Sequence, residues 1–179
     1  MKTLVAAFLA LACATTFAHE VHKSERGWER VGANEPAPAF TLTNQDGKRV
    51  ALKDLRGAPV VLTFLYTTCT DVCPVLLQVM IGAEQRLAEP ERRVTRFMKE
   101  RGLDPARWLL LTGSLAEATK VASDYGVVVR PAPKGDFVHN SVFVIIDATG
   151  RERAEFHGVA TPPDAIADEL KKHLKQRAK

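Results

Sequence analysis

The run Val60-Val61-Leu62-Thr63-Phe64-Leu65-Tyr66 is apolar almost throughout, and it leads directly into Thr67-Thr68-Cys69-Thr70-Asp71-Val72-Cys73-Pro74. A short run of this kind reads as a strand covered on both faces. Such a strand needs another layer on each face, and the helical pattern that follows it points to a layered α/β fold. Pro74 lacks an N–H and suits a first helical turn, which places a helix start near Cys73. Val75, Leu76, Val79, Met80, Ala83 and Leu87 then recur at helical spacing. Cys69 and Cys73 therefore occupy a strand-to-helix turn. Four helical residues rise ~6 Å. That separation suits a disulfide, whose Cα atoms lie ~4.4–6.8 Å apart, and it equally suits two thiolates on one metal ion. A helix N-terminus also favours negative charge and lowers a thiol pKa.

Phe40-Thr41-Leu42-Thr43, Asn44-Gln45-Asp46-Gly47 and Arg49-Val50-Ala51 predict a β-hairpin. Leu52 to Leu55 reads as one helical turn ended by Gly57. A second helix is predicted over Glu91 to Arg101, stopped by Gly102, and a short buried strand over Trp108 to Leu111. Ser114 and Glu117 form a capping box for a helix that ends at Tyr125-Gly126. Val127 to Gly135 reads as an irregular loop broken by prolines. A β-branched strand runs from His139 to Asp147, turns at Asp147-Ala148-Thr149-Gly150 and returns through Glu152 to His157. Pro162-Pro163 opens a last helix with Ile166, Ala167, Leu170 and Leu174 on one face. Strands mixed with covering helices predict a three-layer α/β/α sandwich, with the cysteines where such sheets carry their sites.

Lys2 followed by the apolar stretch Leu4 to Phe17 reads as a secretory signal peptide over residues 1–18, with an uncleaved anchor or a lipid at Cys13 as alternatives. Residues 19–33 read as a flexible leader and 34–179 as the folded domain. The chain is expected to be exported, periplasmic or held at the outer face of the inner membrane. Cleavage after Ala18 leaves Cys69 and Cys73 as the only cysteines. A disulfide closing so short a loop stabilises little, which favours chemistry over stapling. The 25 Lys and Arg against 21 Asp and Glu give a net charge of +4. These charges are spread without aromatic interleaving, so no nucleic-acid partner is expected.

Phe40 to Gly47, Leu55-Arg56-Gly57, Thr63 to Pro74, Leu111-Thr112-Gly113-Ser114, Tyr125-Gly126-Val127 and Val138-His139-Asn140-Ser141 occur in that order. Together they resemble the Sco/SenC family of copper chaperones, over about residues 34–175. The resemblance implies a thioredoxin-like fold and copper, Cu(I) or Cu(II), held by Cys69, Cys73 and His139. It also implies support for assembly of the dinuclear copper centre of cytochrome c oxidase. The implied partners are its copper-accepting subunit, other copper chaperones and thiol reductants. One departure stands out. Leu87 to Arg93 leads directly into Val94, where the family has a strand and a loop, so one usual strand is expected to be missing.

Soft thiolates select Cu(I), and imidazole suits both copper states. Zinc could also use the two cysteines and the histidine with water as a fourth ligand and ranks below copper; a closed structural zinc site would need a fourth protein ligand, and the sequence offers no obvious one. The competing reading is an envelope thiol-disulfide oxidoreductase cycling the Cys69/Cys73 pair. Dedicated reductases carry Cys-x-x-Cys, one residue shorter, and thiol exchange has no need of His139. Tyr66 and Phe137 are candidates for the walls of the site. His157 reads as structural and His173 as solvated. His19 and His22 in the leader are loose copper ligands at most.

Overall fold

The structure, a computed structural model, describes residues 27–44, 46–66, 72–87, 108–132 and 137–174. The strands are β1 Glu29–Gly32, β2 Thr41–Asn44, β3 Arg49–Ala51, β4 Val60–Thr63, β5 Leu111–Thr112, β6 Val129–Pro131, β7 Phe137–His139, β8 Val142–Ile146 and β9 Glu152–His157. The helices are α1 Val72–Gln85, α2 Leu115–Asp124 and α3 Pro163–Leu174, with a 3-10 turn at Leu52–Leu55. The central sheet has the order β1-β9-β8-β4. A second sheet has the order β3-β2-β5, and β6 pairs with β7 as a ribbon.

Every residue of β8 is buried, because its two faces meet two different layers. Phe143 and Ile145 pack with Leu76 and Val79 of α1 and Ile166 and Leu170 of α3. Val142, Val144 and Ile146 pack with Phe40, Leu42, Leu52, Val121 and Tyr125 on the other side. Three layers result, in the thioredoxin-like arrangement expected. α1 and α3 approach so closely that a Cβ on Gly82 would lie 2.9 Å from Pro163 Cγ.

Local chemistry explains several elements. The hairpin turns on Asn44, whose Oδ1 accepts from the backbone N–H groups of Asp46 (3.0 Å) and Lys48 (2.8 Å). Ser114 Oγ accepts from Glu117 N at 3.2 Å, and Glu117 Oε2 accepts from Ser114 N at 2.9 Å, which is the expected capping box. Asp147 closes the β8–β9 turn. Burial alone would raise its pKa, but donors from Thr149, Arg151 and Arg153 hold the carboxyl well below the ordinary range.

The strand that leads to the cysteine turn pairs with β8. β4 runs antiparallel to β8 with Val60 opposite Ile146 and Thr63 opposite Phe143. Among the described residues β4 ends the sheet. The hairpin packs over the sheet face and pairs with β5, so among the described residues it does not pair with β4.

Other expectations need correction. The leader was expected to reach residue 33, but Glu29–Gly32 pairs antiparallel with β9. Trp28 also packs on Phe156, with ring centroids 6.2 Å apart. The folded domain therefore begins before residue 34. The strand expected over Val60–Tyr66 stops at Thr63, and its residues are half-buried. The strand expected over Trp108–Leu111 shrinks to Leu111–Thr112. Val129–Pro131, read as loop, is a strand. The strand expected from His139 to Asp147 is split, with His139 ending β7 and Val142 opening β8. On α1, Val75 is exposed and Leu77 is buried. The helix over 91–101 and the missing strand lie outside the described residues.

His173 is not solvated. Its Nε2 lies 3.2 Å from Glu169 Oε1, and its side chain is 11% exposed. Glu169 also accepts two hydrogen bonds from Arg30, at 3.0 and 2.9 Å, and one from Lys172 at 2.7 Å. Burial would raise the Glu169 pKa, but Arg30, Lys172 and His173 override it and bring it down to about 2. This cluster pins β1 to α3 and explains how a short polar edge strand is held.

Candidate metal centre

The site is assembled where β4 ends. Thr63 Oγ1 donates to the Val142 carbonyl at 2.7 Å, which locks the end of β4 to the start of β8. The chain continues through Phe64, Leu65 and Tyr66, and α1 starts at Val72. Cys73 lies in the first turn of α1, buried, with Pro74 behind it. A thiol there meets the positive end of the helix dipole. Cys69 and Asp71 lie outside the described residues.

His139 ends β7, opposite Val129 of β6. Its ring centroid lies 5.8 Å from that of Tyr66, edge to face. Phe137 meets Tyr66 at 6.1 Å in the same manner. Tyr66 thus packs against both Phe137 and His139, and the contact seats His139 beside the exit of β4. His139 Nδ1 lies 2.9 Å from the Asn140 carbonyl oxygen. A carbonyl only accepts, so Nδ1–H is the donor, and in the neutral ring Nε2 is the nitrogen left for a metal. An imidazole prepared in this way fits a metal such as copper. Among the described residues, no group of three or more His, Cys, Asp and Glu is disposed to hold a metal ion. The trio Cys69, Cys73 and His139 extends beyond those residues.

Asn140 escaped the sequence reading. Its side-chain Oδ1 accepts from Val128 N at 2.8 Å, and its Nδ2 donates to the Gly126 carbonyl at 3.1 Å. The available signal was a polar amide interrupting a β-branched run.

A second cluster of titratable groups lies on β9. Glu152 and Glu155 are three residues apart and would face opposite sides of a regular strand. A register irregularity at Ile145/Ile146 pairs Ile146 with Glu152 and Ile145 with Ala154, which brings the two carboxyls to one face. Burial and a hydrogen bond with Glu155 push Glu152 up to about 7. His157 lies 2.6 Å from Glu155, and that bond raises its pKa. This agrees with the structural role expected for His157. The native state thus holds protons that the unfolded chain releases. The stability contributed by Glu152 is present below its ordinary value of 4.5 and is lost as pH rises through about 7. That contributed by His157 is present below 6.5 and is lost through its raised pKa. Glu152→Gln should therefore raise the melting temperature at about pH 8 by a few degrees, after discounting for solvent screening. At about pH 5 it should gain almost nothing, because wild type then carries the proton. Thermal melts at the two pH values check this. An equal gain at both would show that proton release is not the cause.

The SCO1/SenC family profile matches residues 29–107. The SCO1 homologue of Bacillus subtilis is 27% identical over 159 residues, covering 77% of this chain and 82% of that protein. Mitochondrial relatives are longer, and the chain spans about half of the Arabidopsis thaliana and human SCO1 homologues. A SCO1/SenC family lipoprotein of Bacillus anthracis superposes with a TM-score of 0.66 at 27% identity, over 81% of this chain and 97% of the other. Bradyrhizobium japonicum ScoI, solved with copper bound, superposes with a TM-score of 0.53 at 30% identity, over 77% of this chain and 99% of the other. On its motif order, its three-layer fold and these similarities, the chain belongs to the Sco/SenC family.

Proposed function

We propose that this protein is a copper carrier of the cell envelope. It takes copper as cargo between the thiolates of Cys69 and Cys73 and the imidazole of His139. It passes the ion by ligand exchange to a copper-accepting protein, which family membership implies is the oxidase subunit carrying the dinuclear copper centre. Two sulfurs and one nitrogen tolerate both Cu(I) and Cu(II), as a donor must.

One observation carries this reading. His139 stands beside the exit of β4 with Nδ1 committed to a carbonyl, which leaves Nε2 as the nitrogen that can take a metal. Thiol-disulfide exchange by Cys69 and Cys73 alone makes no use of an imidazole held in that state. The apolar stretch before Ala18 supports export, and residues 1–18 serve either as a removed signal or as a tether.

Copper titration of the reduced protein tests the proposal. One copper per chain is expected, with a sulfur-to-copper charge-transfer band in the Cu(II) form. Failure to bind copper, or binding that survives alkylation of both thiols, would defeat it.

A further inference from the structure

We infer that Asn140 is a positioning residue for His139, holding its imidazole at the angle and in the tautomer that copper requires. This rests on the reading of His139 as a copper ligand.

The structure shows why a positioning residue is needed. His139 belongs to the β6–β7 ribbon, whereas the strand that follows it, β8, lies in the central sheet. The chain bends between them at Asn140 and Ser141. The ribbon joins the domain at two points, through Val127 and Val128 after α2 and through Asn140 and Ser141 before β8, and a relative shift of the two would move a ligand at its end.

Asn140 closes that freedom from both sides. Its side chain grips the segment that leaves α2, accepting from Val128 N at 2.8 Å and donating to the Gly126 carbonyl at 3.1 Å. Gly126 takes a φ of 69°, which turns the chain sharply after α2 and fixes where that carbonyl points. The main-chain oxygen of Asn140 accepts the His139 Nδ1 proton at 2.9 Å. One residue thus ties the segment entering the ribbon to the segment leaving it and also supplies the acceptor that sets the ring.

The amide is suited to this task. It donates and accepts at once, and the two partners need one of each. Aspartate keeps the acceptor for Val128 but has nothing to donate to Gly126. Alanine keeps neither. Asn140 is exposed, so water replaces its bonds when they are lost, and little global stability depends on them. The loss should therefore appear at the ligand and leave the fold intact.

A double-mutant cycle on copper affinity decides the matter. Asn140→Ala should weaken copper binding about tenfold, the lower end for partners that orient a ligand. Asn140→Asp should fall between Asn140→Ala and wild type. In a His139→Ala background, Asn140→Ala should change affinity by less than about twofold. The Cu(II) electron paramagnetic resonance spectrum of Asn140→Ala should show altered nitrogen hyperfine coupling at unchanged stoichiometry. Equal losses in both backgrounds would show that Asn140 acts without His139 and would overturn the inference. So would wild-type affinity in Asn140→Ala. If Asn140→Ala does not fold, the same cycle runs with Asn140→Asp. The copper reading is tested separately within this set: unchanged affinity in the single variant His139→Ala removes that ligand, and the role of Asn140 with it.

Discussion

Cys73→Ser should abolish tight copper binding, and His139→Ala should weaken it about a hundredfold. Serine replaces a soft thiolate with a hard hydroxyl that stays protonated at neutral pH, leaving one thiolate and one imidazole for the metal. Two ligands of that kind do not hold Cu(I) against competing cellular thiols. His139→Ala spares both sulfurs, so Cu(I) keeps a two-coordinate site while the Cu(II) form loses its nitrogen. The two variants should separate in a second respect. His139→Ala retains reversible oxidation of the cysteines, whereas Cys73→Ser does not. Affinity measured by competition against a chelator, alongside thiol counting, checks both. Neither substitution threatens the fold. Cys73 is buried but close in volume to serine, and His139 lies on a ribbon outside the central sheet. Undiminished affinity in Cys73→Ser would show that the metal does not sit at the head of α1.

The parts legible in the sequence are those fixed by local chemistry. The hairpin at Asn44–Gly47 turns on a side chain that bonds its own backbone two and four residues on. The start of α2 turns on Ser114 and Glu117, three residues apart. β8 is legible because a β-branched run buried on both faces admits few other readings. Its pairing with β4 also follows from the order of the elements, since a covered strand at the cysteine turn needs a covered neighbour.

The misread parts depend on partners distant in sequence. β1 is short and mostly exposed and has no hydrophobic period. It is a strand because Arg30 reaches Glu169, which is 139 residues away. β6 contains a proline and, among the described residues, pairs with β7 alone, so nothing within Val129–Pro131 announces it. His173 looked solvated because the last helix is basic, yet Glu169 one turn back draws it inward. At the candidate site the sequence offers the residue types and the spacing on which the proposed ligand set rests. The seat of His139 was not legible there. It depends on Tyr66, 73 residues away in the chain, and on the bonds by which Asn140 reaches the turn after α2, and residue order gives neither distance.

Phe143→Ala should cost about 3–5 kcal/mol, the range for a large aromatic removed from a core. Phe143 is fully buried, at 0% exposure. It lies on the face of β8 that packs against α1 and α3, in one cluster with Leu76, Val79 and Ile166. Neighbours on both sides are fixed by other contacts. Gly82 already sits against Pro163, so α1 and α3 cannot draw closer to fill the gap. The loss is therefore a cavity and not a collapse. Against a total stability of about 5–15 kcal/mol for a typical domain, a large share of the fold's margin disappears. The consequence reaches the metal centre through the register. Phe143 lies opposite Thr63, whose hydroxyl holds the end of β4 to Val142. When this end of the sheet opens, Tyr66 and the head of α1 separate from the ribbon that carries His139. Copper affinity should then fall in proportion to the unfolded fraction, unlike the ligand variants, whose loss leaves the fold unchanged. Val138→Ala, on a residue 62% exposed on the ribbon, should stay within about 0.5 kcal/mol of wild type. Urea unfolding followed by circular dichroism measures both. A cost below about 1 kcal/mol for Phe143→Ala would mean that α1 and α3 do not close over the sheet at that position.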